Sequence, residues 1–159
     1  MFGLKAAGAA AALTLITALP VMAGEQTLKF RLVTKQLSGS YLEVANVEGR
    51  SVGAGEYAGV AVFDDGRIAY KNFVLTTDGS DAEGSYAGYS TYTFQNGDSL
   101  TLRFTGGWGP QGDAGDYEVL SGTGTFTDAK GTGHFAAVDE PWDGAELYEG
   151  SFTITLPGS

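Results

Sequence analysis

One histidine, no cysteine and eight tyrosines set the chemistry open to this 159-residue chain. His134 is the only side chain whose ordinary pKa lies near neutrality, so it is the first candidate for moving a proton. Nothing in the sequence marks a triad partner for it, and no Gly-x-Ser-x-Gly elbow occurs. Tyr57, Tyr70, Asn72 and Tyr92 interrupt apolar runs with a hydroxyl or an amide. A few such groups suffice to orient a mainly apolar ligand. Trp108, within residues 106–112, and Trp142, within residues 140–144, sit in glycine- and proline-containing stretches between apolar runs. There they are placed either to line a cavity mouth or to plug it. Tyr57, Tyr70, Asn72, Tyr92, Trp108 and His134 form the candidate ligand-binding set; no residue is assigned a catalytic role. A metal site needs clustered donors, and no His/Cys cluster exists. Asp64-Asp65-Gly66 and Asn96-Gly97-Asp98 lack the later bidentate glutamate of a calcium loop and read as turns. The expectation is no metal and no cofactor.

These residues belong to an acidic chain. Nineteen Asp and Glu against nine Lys and Arg give a formal net charge of −10. Such a surface disfavours nucleic acid and anionic membranes as partners. Residues 1–23 read as a cleaved signal peptide: Lys5 forms a short positive region and residues 6–19 an apolar run. Val21 and Ala23 then put small residues at the −3 and −1 positions. Cleavage after Ala23 leaves one domain, residues 24–159, with a net charge of −11 once Lys5 is gone. The expected location is periplasmic or secreted, with no membrane insertion after cleavage. Without cysteine there is no disulfide framework, so stability must come from sheet closure and a core.

Period-two patterning dominates the mature chain. Leu28, Phe30 and Leu32 alternate with Lys29 and Arg31, and Leu100, Leu102 and Phe104 with Thr101 and Arg103. Asn96-Gly97 between two such runs is a strong hairpin signal, and Asp64-Asp65-Gly66 marks another. Residues 27–35, 41–47, 55–63, 67–76, 85–94, 99–105, 117–126, 131–138 and 148–156 are strand candidates. That succession predicts an all-β, single closed antiparallel barrel, with a sandwich as the alternative. Tyr57-Ala58-Gly59, Tyr86-Ala87-Gly88 and Tyr148-Glu149-Gly150 each open a strand with further apolar residues on the tyrosine's parity. Shared parity means a shared face. The inward face is therefore expected to carry Tyr57, Gly59, Tyr70, Asn72, Gly88, Tyr92, Leu100 and Leu102, with its small residues leaving room for a pocket.

Residues 121–135 are the most distinctive stretch. Gly122-Thr123-Gly124 and Gly131-Thr132-Gly133 begin two strand-like pieces around the polar turn 127–130, which predicts a hairpin. The pattern Gly122-Thr123-Gly124-x-Phe126-x-x-Ala129-x-Gly131 resembles a signature of the allene oxide cyclase-like and dirigent-like barrels. The closing run 148–156 is similar to theirs as well. The resemblance implies about eight strands and a homo-oligomer, a trimer. It also implies cofactor-free isomerase or cyclase chemistry on a reactive apolar intermediate. Two readings follow. One is a secreted barrel that binds a small apolar molecule and steers its isomerisation or cyclisation. The other is a non-catalytic structural or interaction module with a filled interior.

Overall fold

The longest strand closes the sheet. β1 (Glu25–Glu43) pairs with β8 (Glu146–Thr155) through Glu25 to Thr34, and with β2 (Ser51–Phe63) from Phe30 onward. Around it run β3 (Ile68–Gly79), β4 (Gly84–Phe94), β5 (Ser99–Gly109), β6 (Gly112–Gly122) and β7 (Lys130–Val138). Each pairs antiparallel with its sequence neighbour, giving a closed eight-stranded barrel in the order β1 to β8. The computed structural model describes residues 24–139 and 142–157. The segment 1–23, read as a signal peptide, lies outside them. No α-helix occurs among the described residues.

The expected strands 27–35 and 41–47 merge into one, β1, which stops at Glu43, so 44–47 fall in the turn that follows. A register shift between Gln36 and Ser38 lets β1 bend and continue past the bulge. The hairpin expected at 122–135 also takes another form. β6 ends at Gly122, and Gly124–Phe126 form a single 3-10 turn instead of a strand. Gly124 has φ +59°, a left-handed conformation that glycine adopts without strain. The turn drives Phe126 into one end of the barrel, where its ring stacks on Phe94 at 4.8 Å.

That end is solid. Phe30, Phe63, Phe94, Tyr92, Phe126, Phe152 and Ile154 are all buried there. Phe30 and Phe152 meet at 4.9 Å, and Phe63 and Phe94 at 5.3 Å. The Arg67 guanidinium covers the rings of Phe63, Phe94 and Phe126 at 5.5–6.0 Å. Aromatic packing of this kind supplies both buried area and ring–ring attraction. The inward glycines add no free space. A Cβ on Gly88 would run into Val74 O and Phe104, and one on Gly59 into Val33 O. The small residues expected to leave a pocket are small because backbone and large neighbours already occupy the space.

Candidate functional site

The opposite half of the barrel is hollow. A cavity of about 470 Å³ opens at the end carrying the β1–β2, β3–β4, β5–β6 and β7–β8 connections. A volume of this size suits one small ligand. Phe73, Leu75, Phe104 and Phe135 form apolar walls. Tyr57 stacks on Phe73 at 4.9 Å and 17°. Trp108 stands at the mouth, stacked on Tyr86 at 6.3 Å and 5°, with its indole N–H donating to Ser80 O at 2.9 Å. The indole can lie flat there because Gly79 and Gly84 beneath it have no side chains.

Two polar groups interrupt these walls. At depth, Lys71 is 4% exposed, and its Nζ is hydrogen-bonded to Tyr117 Oη at 2.8 Å. The rings of Phe73, Tyr92, Phe104, Tyr117 and Phe135 surround Nζ at 4.2–5.9 Å. Burial pushes the Lys71 ammonium down to a pKa of about 7. Tyr117 in turn meets Tyr92 Oη at 3.1 Å. Burial raises both phenols above their ordinary value.

Nearer the mouth, Tyr86 Oη donates to Asp113 Oδ1 at 2.5 Å, and Tyr148 Oη to Asp113 Oδ2 at 2.9 Å. Tyr148 Oη also lies 3.1 Å from Glu146 Oε2, which Thr34 approaches at 3.4 Å. Tyr148 has one hydroxyl hydrogen for two carboxylates. Burial first, and then the neighbouring acids, raise the Tyr86 and Tyr148 pKa values. Both phenols therefore stay neutral at physiological pH and remain hydrogen-bond donors.

The sequence-derived candidates divide on strand parity. Tyr57 and Trp108 line the cavity. Trp108 belongs to the end of β5 and not to a loop. Tyr92 points inward but lies in the packed half, fully buried, with Tyr117 between it and the cavity. Tyr70 and Asn72 point outward, Tyr70 being 49% exposed. This corrects the inward placement: β3 registers Ala69 on Phe94 and Lys71 on Tyr92, so Ala69, Lys71 and Phe73 take the inner face. His134 is also outside, on β7, where its Nδ1 pairs with Asp116 at 3.0 Å. Its neighbour Phe135 is the residue that turns in. Trp142 is exposed in the β7–β8 connection.

Sequence reasoning missed Lys71, Asp113, Tyr117 and Glu146. Lys71 left one usable signal: it shares parity with Ala69, Phe73 and Leu75, a charge set in an apolar series. Asp113 follows a turn glycine and left none. Tyr86 and Tyr148 were legible as inward through the repeated Tyr-x-Gly triplets, but not as partners of an acid.

No family model matches the chain, and no curated protein matches it. Solved structures do resemble it. The pterocarpan synthase dirigent protein GePTS1 aligns over 92% of this chain and 98% of its own, at 12% identity and TM-score 0.61. The fold is dirigent-like. A second pterocarpan synthase dirigent protein, PsPTS1, aligns over 86% of this chain and 97% of its own, at 12% identity and TM-score 0.59. A DUF3224-family protein of unknown function from Shewanella oneidensis MR-1 aligns over 82% and 96%, at 20% identity and TM-score 0.51. At these identities the dirigent-like barrel is a likeness of architecture, and activity has to be argued from the cavity itself.

Proposed function

We propose that this chain is an exported barrel that binds a small, mainly apolar molecule in its open half. There it steers a proton-assisted isomerisation or ring closure without a cofactor. The observation that carries this reading is the polarity of the cavity. Aromatic walls enclose a shaped space, and a hydrogen-bonded Tyr86–Asp113–Tyr148–Glu146 cluster faces it near the mouth. Walls of this kind restrict a flexible substrate to few conformers, which lowers the entropic part of a cyclisation barrier. The Tyr86 and Tyr148 hydroxyls can donate hydrogen bonds to an oxygen that gains charge, and the carboxylates can receive a proton as the ring closes. The names of two similar structures, both pterocarpan synthases, support reaction steering in a barrel of this shape.

Calorimetric titration with cinnamyl alcohol tests the binding step. Saturable one-to-one binding is expected. Leu75→Trp, which fills the cavity, should weaken it by at least about tenfold, or about 1.4 kcal/mol. Equal affinity in a Leu75→Trp variant with native near-ultraviolet dichroism would place the ligand elsewhere. Heat-free titrations with both proteins would favour the filled-module reading.

Self-association is part of the same proposal. Its support is the outer face, where Val60, Val62, Ile68, Tyr70 and Val74 are exposed. An open groove lined by Ala54, Val74, Ala87 and Tyr89 adjoins them. Apolar surface of this kind on a chain of such acidity is best covered by a second copy. Sedimentation equilibrium should give a multiple of the monomer mass, and Val60→Lys combined with Val74→Lys should return it to monomer. A monomer at tens of micromolar for the unaltered chain would exclude the contact.

A further inference from the structure

Lys71 is not used by the Tyr86–Asp113–Tyr148–Glu146 cluster, and its surroundings are unusual for a lysine. Buried ammonium groups are ordinarily paired with a carboxylate. This chain has 19 acidic residues, yet among the described residues none forms an ion pair with Lys71. Its Nζ has one hydrogen-bond partner, Tyr117 Oη at 2.8 Å. The titratable groups packed against it are Tyr117 from β6 and Tyr92 from β4. The other ionisable groups lining the cavity are Tyr41, Tyr57, Asp81, Tyr86, Asp113, Glu146 and Tyr148.

Counting hydrogens separates the two charge states. With a neutral amine, Tyr92 donates to Tyr117 and Tyr117 donates to the Nζ lone pair, so both buried hydroxyls are satisfied. With an ammonium, Nζ donates to Tyr117, and one of the two hydroxyl hydrogens is left without an acceptor. The hydrogen-bond chain therefore favours the neutral amine at the depth of the cavity, its lone pair held by the Tyr117 hydroxyl until a ligand displaces that contact.

We propose that Lys71 captures carbonyl compounds: its Nζ condenses with an aldehyde or ketone on an aromatic or apolar body and holds it in the cavity as an imine. The inference rests on the ligand-binding reading of the same cavity and names a substrate class for it. The lone pair of Nζ attacks the carbonyl carbon and forms the C–N bond, while the C=O π pair moves to oxygen. The oxygen takes up a proton as the nitrogen releases one, giving a carbinolamine. Loss of the hydroxyl as water, with a second proton leaving nitrogen, gives C=N; one amine and one carbonyl yield one imine and one water. Tyr117 Oη, at 2.8 Å from Nζ, is placed to relay these protons. Amines desolvated in apolar pockets are the usual nucleophiles of this reaction. Burial holds the Lys71 ammonium well below the ordinary lysine value, so far more of it is free base at neutral pH than of a solvated lysine.

The test is reductive trapping. The full mature chain is incubated at pH 7 with cinnamaldehyde and sodium cyanoborohydride, and the adduct is located by peptide mapping. Lys71 should be labelled at least about tenfold faster than Lys29, Lys35 or Lys130, because its free-base fraction is far larger. Lys71→Arg, shown folded by its near-ultraviolet spectrum, should lose that fast adduct and keep only the slow surface labelling. Fast labelling of Lys71 supports the proposal. Labelling confined to the surface lysines overturns it. The cinnamyl alcohol titration separates the two readings: if the alcohol binds while Lys71 stays unlabelled, imine capture fails and ligand binding stands. If neither occurs, both fail.

Discussion

Lys71→Met is expected to stabilise the barrel at pH 7 by about 1–3 kcal/mol, because a buried charge without an ionic partner opposes folding and methionine fills similar volume. The shift of the Lys71 ammonium to about 7 sets the scale. Burial opposes the charge, and the lost ring contacts and Tyr117 hydrogen bond subtract from the gain on removing it. The sign follows from proton counting. Between pH 7 and about 10, the unfolded chain keeps the Lys71 proton and the folded chain has released it. The unfolded state binds more protons there, so the stability of the unaltered protein rises with pH across that window and falls away as pH drops through 7. Above about pH 10 the trend reverses. Tyr86, Tyr92, Tyr117 and Tyr148 have raised pKa values, so their unfolded forms ionise first and draw the chain open. Urea midpoints from pH 6.5 to 11 should trace a rise and then a fall. Lys71→Met should lose the rise and keep the fall. A flat profile for the unaltered chain between pH 7 and 9.5, or a methionine variant weaker than its parent at pH 7, would contradict this account of Lys71.

Gly124→Val should cost on the order of 3 kcal/mol, from left-handed strain in a β-branched residue combined with overlap. Gly124 has φ +59°, and a Cβ there would collide with the Asp98 carboxylate. That carboxylate accepts the Thr125 backbone N–H at 3.1 Å and the Thr125 hydroxyl at 2.7 Å. Displacing it releases the turn that carries Phe126 into the closed end. Gly97→Val isolates the strain, since Gly97 has φ +89° with nothing near its missing side chain. Its cost should be nearer 1 kcal/mol, the strain term alone. Denaturant midpoints read both variants. Equal losses would mean that the Asp98 contact contributes nothing.

The same glycine shows how far local sequence reaches. The Gly-Thr-Gly pattern marked residues 121–135 as the place where the chain must bend tightly, and the positive φ of Gly124 and the close approach at Gly133 agree. It did not say that Phe126 would become a plug, since that depends on Phe94, more than thirty residues earlier in the chain.

What the sequence by itself determined is the all-β class, the run of antiparallel neighbours and much of the packed face. The turns at Gly66 and Gly97 close within a few residues, Gly66 N–H donating to Phe63 O and Gly97 N–H to Phe94 O, and alternation such as Leu100-Thr101-Leu102 is a property of one strand. Only the tertiary structure decided which face of β3 turns inward. Tyr70 and Asn72 were expected inside, on the parity opposite to Ala69, Lys71 and Phe73. Pairing with β2 and β4 overrode that expectation, because Lys71 must follow Gly59 and Tyr92, whose inward direction the whole barrel shares. The cavity depends on the same long-range pairing. Asp113 meets Tyr86 and Tyr148 across 27 and 35 residues of chain, and Lys71 meets Tyr117 across 46. No local pattern encodes those meetings; closure of β1 on β8 brings the strands that carry them around one space.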